Sequence, residues 1–284
     1  IHTFEEFLKS YQCARMAGFT NVNVDLMSSI PGQTLESWKN TLKKVTMLKP
    51  EHISAYSLIV EEGTPFWDRY GKREGEETGL KTDDVCFLHP RGGGQTEQAP
   101  LPRKRAALYP ALPDEDTENR IYHFTRTFLA EQGYGRYEIS NYAKPGRECL
   151  HNTGYWREVP YLGLGSSSCM NGTRFSNERD LDTYLHLDFS EEGGFSALAL
   201  LRGPVEELTR EAQMEEFMFL GLRMTKGISE IDFVSMFGVK IEGVYGPVIE
   251  RLIGDGLLKR EGVWISLTEW GMDVSNFVLS EFLL

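Results

Sequence analysis

The chain has 284 residues and a mass of 32.3 kDa, long enough to bury a substantial core. Its 40% apolar, 25% charged and 12% aromatic residues form a globular balance that excludes disorder, collagen and coiled coil. Lys and Arg total 30 against 42 Asp and Glu, and the net charge of -12 disfavours non-specific attraction to nucleic acid or anionic lipid.

The first residue is Ile, and Phe4, Phe7, Leu8, Tyr11 and Ala14 keep a helical beat from the outset, so the sequence reads as a fragment entered within a helix that closes at Gly18. Neither a transmembrane run nor a signal peptide is expected. Asn21 to Asp25 alternate like a short strand, and Pro31-Gly32 breaks the chain. Thr34 then caps a predicted helix whose apolar positions, Leu35, Trp38, Leu42, Val45 and Leu48, run until Pro50. With a second β-rich run over His52 to Val60, residues 19–60 read as β-loop-α-β, the crossover unit of a parallel sheet. From about Gly71 to Pro110 the composition shifts to glycine, proline and the basic cluster Arg103-Lys104-Arg105, which reads as a linker or insertion.

Acidic residues at 114–116 precede a helical pattern through Tyr122, Thr125, Phe128 and Leu129, ending at Gly133, and a third βα-type unit is expected there. Residues 134–190 are rich in Tyr, Asn, Gly and Arg with little periodicity, the character of a loop-built pocket. Beyond Thr209 helices return, followed by a small strand at Val263–Thr268 and a final helix. Three helices with a β-wing read as a winged-helix-like module. Residues 211–284 carry six Lys and Arg against twelve Asp and Glu, an acidic balance that argues against a nucleic-acid reader.

Four cysteines, Cys13, Cys86, Cys149 and Cys169, show neither disulfide density nor a CxxC pair, which points to a reducing, cytoplasmic setting. Asp25 closes a strand of the parallel sheet, where polar side chains face the ligand crevice, and it reads equally as a turn-forming residue before Pro31. Gly163-Leu164-Gly165 and the serines after it permit close backbone approach to a ligand, but they complete neither a dinucleotide fingerprint nor a nucleophile elbow. The densest constellation is Cys149-Leu150-His151-Asn152-Thr153-Gly154-Tyr155-Trp156. A neutral imidazole is an axial ligand for haem iron, aromatic rings give flat surfaces for a macrocycle, and Asn can orient the imidazole or bond a propionate. On composition alone a packed or solvated His151 is the commoner alternative. No catalytic residue is assigned.

Asn23-Val24-Asp25-Leu26-Met27, Pro31-Gly32-Gln33-Thr34, His52 to Leu58, Glu61 to Pro65, Leu112 to Thr117, Tyr137 to Ala143, His151-Asn152-x-x-Tyr155-Trp156 and Tyr161 to Gly165 occur in the order of one family. Together with the segment from Gly227 onward, they make the chain resemble the radical-SAM family of oxygen-independent coproporphyrinogen III oxidases (HemN-like), and within it the haem-chaperone branch. The resemblance covers nearly everything outside 72–110. It implies an α/β fold: the C-terminal part of an incomplete radical-SAM (β/α)6 barrel and a small helical, winged-helix-like domain. The expected division is 1–71, the last part of the barrel; 72–110, linker or anomalous insertion; 111–190, barrel end and pocket layer; and 191–284, the C-terminal domain.

In that family the HNxxYW motif marks the chaperone branch. The resemblance therefore implies haem held by His151, Asn152, Tyr155 and Trp156, with His151 as iron ligand, and an S-adenosylmethionine contact at Asp25. It implies transfer of haem to acceptor haemoproteins, with those of a membrane respiratory chain expected, and no nucleic-acid partner. The alternative is the family's enzyme, coproporphyrinogen III oxidase. The family's CxxxCxxC motif, which binds a 4Fe–4S cluster, is absent from this chain, whose cysteines lie 73, 63 and 20 residues apart. Where many relatives have a His after the GLG run, this sequence has Ser168-Cys169-Met170.

Overall fold

The structure is a computed structural model that describes residues 3–71, 109–161, 173–187, 203 and 206–284. The expected insertion (except Tyr109 and Pro110) and the Gly163 to Met170 run lie outside the described residues. The chain forms two compact units, Ile1–Cys149 and Leu150–Leu284. The division falls inside the 111–190 segment, because residues up to Ala143 are tied by strand pairing to the first unit.

In the first unit, α1 (Phe4–Met16) begins in a capping box between Thr3 and Glu6, and β1 (Asn23–Ser28) alternates exposed and buried positions. Helix α2 (Leu35–Met47) starts at Thr34, whose hydroxyl accepts the Ser37 N–H at 3.1 Å while Ser37 Oγ accepts the Thr34 N–H at 3.0 Å. Strand β2 (His52–Ser57) pairs parallel with β1, setting Asn23 beside His52 and Asp25 beside Ser54. This is the expected crossover. One face of the pair, Val24, Leu26 and Ile53, is buried with Trp38, Leu42 and Val45 of α2. A short helix, α3 (Trp67–Tyr70), follows.

Helix α4 (Glu115–Glu131), capped by Asp114, adds Ile121 and Leu129 to that core. The next two strands, β3 (Gly135–Arg136) and β4 (Asn141–Ala143), pair antiparallel with each other, and β4 joins β2 antiparallel, giving the order β1-β2-β4-β3. The third βα unit expected from sequence is thus a corner. Only four residues separate β3 from β4, which suffices for a reversal but not for the crossover that a parallel strand needs.

In the second unit, α5 (Leu150–Trp156) opens the chain, and β5 (Thr173–Arg174) pairs with β6 (Glu206–Glu207), with α6 (Leu181–Leu185) between them in sequence. Then come α7 (Arg210–Gly221), β7 (Ile228–Ser229), α8 (Glu230–Phe237), α9 (Glu242–Gly254), β8 (Leu258–Glu261) and β9 (Trp264–Leu267). This helix–strand–helix–helix–hairpin order, with sheet order β7-β9-β8, is the winged-helix arrangement. Its core is Met218, Leu222, Phe233, Tyr245, Ile249, Leu252 and Ile265, closed by Val278 and Phe282 around the last helices, α10 (Glu269–Asp273) and α11 (Ser275–Ser280). Among the described residues no helix is long and apolar enough to cross a membrane.

Candidate functional site

Asp25 does not close its strand as expected: it is the third of the six residues of β1, which runs on to Ser28, and it is exposed on the face opposite the apolar core. Alternation puts Asn23 on the same face, and the parallel register adds His52 and Ser54 of β2. Antiparallel pairing of Ser54 with Asn141 extends this polar face onto β4. Asn23 Nδ2 donates to Asp25 Oδ1 at 2.6 Å, and Asn23 Oδ1 lies 2.6 Å from His52 Nδ1 and accepts from Ser54 Oγ at 3.3 Å. His52 Nε2 lies 2.7 Å from the Tyr137 hydroxyl, which accepts the Cys149 N–H at 3.4 Å. His52 is only 3% exposed, and burial pushes its pKa below the ordinary histidine value against the opposing pull of Asp25 and Glu148.

The HNxxYW residues occupy α5 of the second unit. The sequence suggested irregular backbone here because Gly154 and the polar residues hide any apolar period, yet 151–156 form nearly two turns. Residues four apart share a helical face, so His151 aligns with Tyr155, and their rings meet edge-on with centroids 4.7 Å apart. Tyr155 in turn meets Tyr161 at 4.6 Å. Asn152 and Trp156 share the neighbouring face, and the Arg223 guanidinium lies 4.4 Å from the Trp156 ring centroid. The structure thus gathers His151 and Tyr155 and turns Trp156 toward a cation.

Helix α5 ends in a Schellman turn: the Val159 N–H reaches Gly154 O at 2.9 Å and the Glu158 N–H reaches Tyr155 O at 3.1 Å. Glu158 occupies the left-handed position with φ 54°, where glycine is usual. Burial pushes its carboxyl up to about 7.

His151 is exposed, and among the described residues its ring nitrogens carry no hydrogen bond, so the imidazole is available as an axial ligand beside an aromatic wall. The residues therefore fit haem. Asp25, with one oxygen engaged and the other without a hydrogen bond among the described residues, fits a hydroxyl or amine donor on a ligand. The described cysteines, Cys13 and Cys149, are free thiols, and no group of three or more metal-ligating side chains occurs among the described residues. Sequence reasoning missed Asn23, His52 and Tyr137. The alternation of β1 could have flagged Asn23, but the other two depend on strand register.

A family model described as the HemN C-terminal domain matches residues 208–274, the winged-helix part of the second unit. Curated relatives named heme chaperone HemW match the whole chain at 32% identity in Lactococcus lactis, 31% in Bacillus subtilis and 27% in Escherichia coli. The chain spans 64%, 64% and 63% of the length of these relatives. Among solved structures, the radical-SAM coproporphyrinogen III oxidase (HemN) from Escherichia coli matches 99% of this chain and 59% of its own, with a TM-score of 0.67 at 20% identity, a likeness of fold. The incomplete radical-SAM α/β architecture expected from sequence agrees with it.

Proposed function

We propose that the chain, which is similar to HemW relatives along its whole length, serves in a radical-SAM haem chaperone, binding haem and passing it to acceptor haemoproteins in the cytoplasm or at a respiratory membrane. The observation that carries this reading is the exposed His151 imidazole, edge-on to Tyr155 and without a hydrogen bond on either nitrogen among the described residues. Haem supplies a coordination position on iron for such a nitrogen. Helix α5 presents His151 and Tyr155 on one face, and Asn152 and Trp156 stand beside them for the propionates and the macrocycle edge. Asp25 is the proposed contact to S-adenosylmethionine on the polar face of the first unit.

Haem titration followed by Soret absorbance, on the parent chain and on His151→Ala, tests the proposal. A Soret band that forms with the parent and is lost in the variant supports it. Equal binding by both removes His151 as the ligand. No binding by the parent overturns haem capture by these residues and makes coproporphyrinogen oxidation the reaction to assay.

A further inference from the structure

The hydrogen bonds behind Asp25 have one consistent polarity when the His52 ring is neutral, the form that its burial favours. Asn23 aims its amide N–H at Asp25 Oδ1, which leaves the Asn23 oxygen, an acceptor only, facing His52. His52 Nδ1 therefore carries the hydrogen. Its Nε2 is then a lone pair in the neutral ring, so the Tyr137 hydroxyl donates to Nε2 and uses its own oxygen to accept the Cys149 N–H. The directed chain runs Cys149 N–H, Tyr137 O–H, His52, Asn23, Asp25. It crosses three parts of the first unit, with His52 and Tyr137 only 3% and 8% exposed, and it ends on an exposed carboxylate whose Oδ2 carries no hydrogen bond among the described residues.

We propose that Asn23, His52 and Tyr137 are positioning residues: together they hold Asp25 with Oδ1 engaged and Oδ2 turned out to accept from a hydroxyl or amine of the ligand. This rests on the reading of Asp25 as a ligand contact. Ser54, donating to the same Asn23 oxygen, reinforces the orientation. Among the described residues, the charged groups acting on the His52 ring are Asp25 from β1 and Glu148 ahead of α5, and the Tyr137 hydroxyl is its titratable hydrogen-bond partner. Positioning makes two predictions that simple packing does not: the His52 tautomer depends on Asp25, and losses at His52 disappear once Asp25 is gone.

The test uses S-adenosylhomocysteine as probe, titrated calorimetrically into the full chain without cluster reconstitution, with thermal melts as the folding control. Relative to the parent, His52→Leu and Tyr137→Phe should each weaken binding at least fivefold. His52→Asn, whose amide nitrogen replaces Nδ1, should restore most of the loss, and His52→Leu should cost nothing further in an Asp25→Ala background. Tyr137→Phe removes a single oxygen and keeps the ring, so it tests the relay even where a His52 variant fails to fold. Two-bond proton–nitrogen NMR should show His52 as the Nδ1–H tautomer in the parent and as a mixture in Asp25→Ala.

Parent-like binding by both single variants, or costs that add fully on top of Asp25→Ala, would overturn the proposal. Binding that is equal in parent and Asp25→Ala, or absent in both, overturns the Asp25 contact instead. The tautomer then decides the relay: a shift on removing Asp25 supports it, and an indifferent His52 ring overturns it.

Discussion

Trp38 and Thr125, 87 residues apart, are joined by an indole N–H that donates to the threonine hydroxyl at 2.7 Å in the core of the first unit. The same hydroxyl donates to Ile121 O at 2.7 Å, so α2 and α4 are linked by a satisfied polar pair inside an apolar layer. Thr125→Val preserves the shape and leaves the buried indole N–H without its acceptor. A loss of about 1–3 kcal/mol is expected from the desolvation cost of that group. Chemical denaturation followed by Trp fluorescence would measure it, and an unchanged midpoint would mean that another acceptor replaces the hydroxyl.

Gly227 adopts φ 75° where the chain turns into β7, and a Cβ there would stand 1.9 Å from the Ile265 carbonyl oxygen of β9. The obstacle is backbone and cannot swing aside. Gly227→Ala combines a left-handed penalty with overpacking and should destabilise the second unit by roughly 3 kcal/mol. A parent-like melting temperature would contradict this close approach of β7 and β9.

Glu158 gives the second unit a pH signature. Its carboxyl titrates near 4.5 in the unfolded chain and is pushed up to about 7 by burial in the folded one. Between these values the folded state holds the extra proton, so this group makes stability fall as pH climbs from about 4.5 to about 7. Glu158→Gln should flatten that slope. Glu158→Gly should flatten it too, and it adds about 1 kcal/mol by removing the left-handed penalty of a residue with a Cβ. Denaturation midpoints at pH 5 and 7.5 would show both effects, and identical slopes in parent and variants would rule out the buried carboxyl as their source.

Tyr155 supports His151 by ring contact and has no role as a ligand in the proposed binding. Tyr155→Leu should keep the Soret band and weaken haem several-fold, whereas His151→Ala should abolish the band. Equal loss of the band in both variants would make Tyr155 part of the coordination.

Much of the frame was legible in the chain itself. Val24 and Leu26 alternate with Asn23 and Asp25, Thr34 caps a helix whose apolar residues recur at three and four, and the helix and hairpin order after Thr209 reads as a winged helix. These are local signals, set by backbone period and by the termini's need for acceptors, and they survive without knowledge of any partner. Helix α5 was not legible, because a seven-residue helix containing Gly154 has too few apolar positions to show a period.

The motif residues themselves, His151 to Trp156 and Asp25, stand out in the sequence by residue type and family likeness. Tertiary structure alone divided them into a His151–Tyr155 face and a Trp156 ring beneath Arg223. It also brought His52 and Tyr137, 85 residues apart, within 2.7 Å of each other behind Asp25. The reason is physical. Hydrophobic period fixes which face of a strand or helix is buried, but which polar groups meet depends on strand register and on the corner at β3 and β4, and those are decided by packing between distant segments.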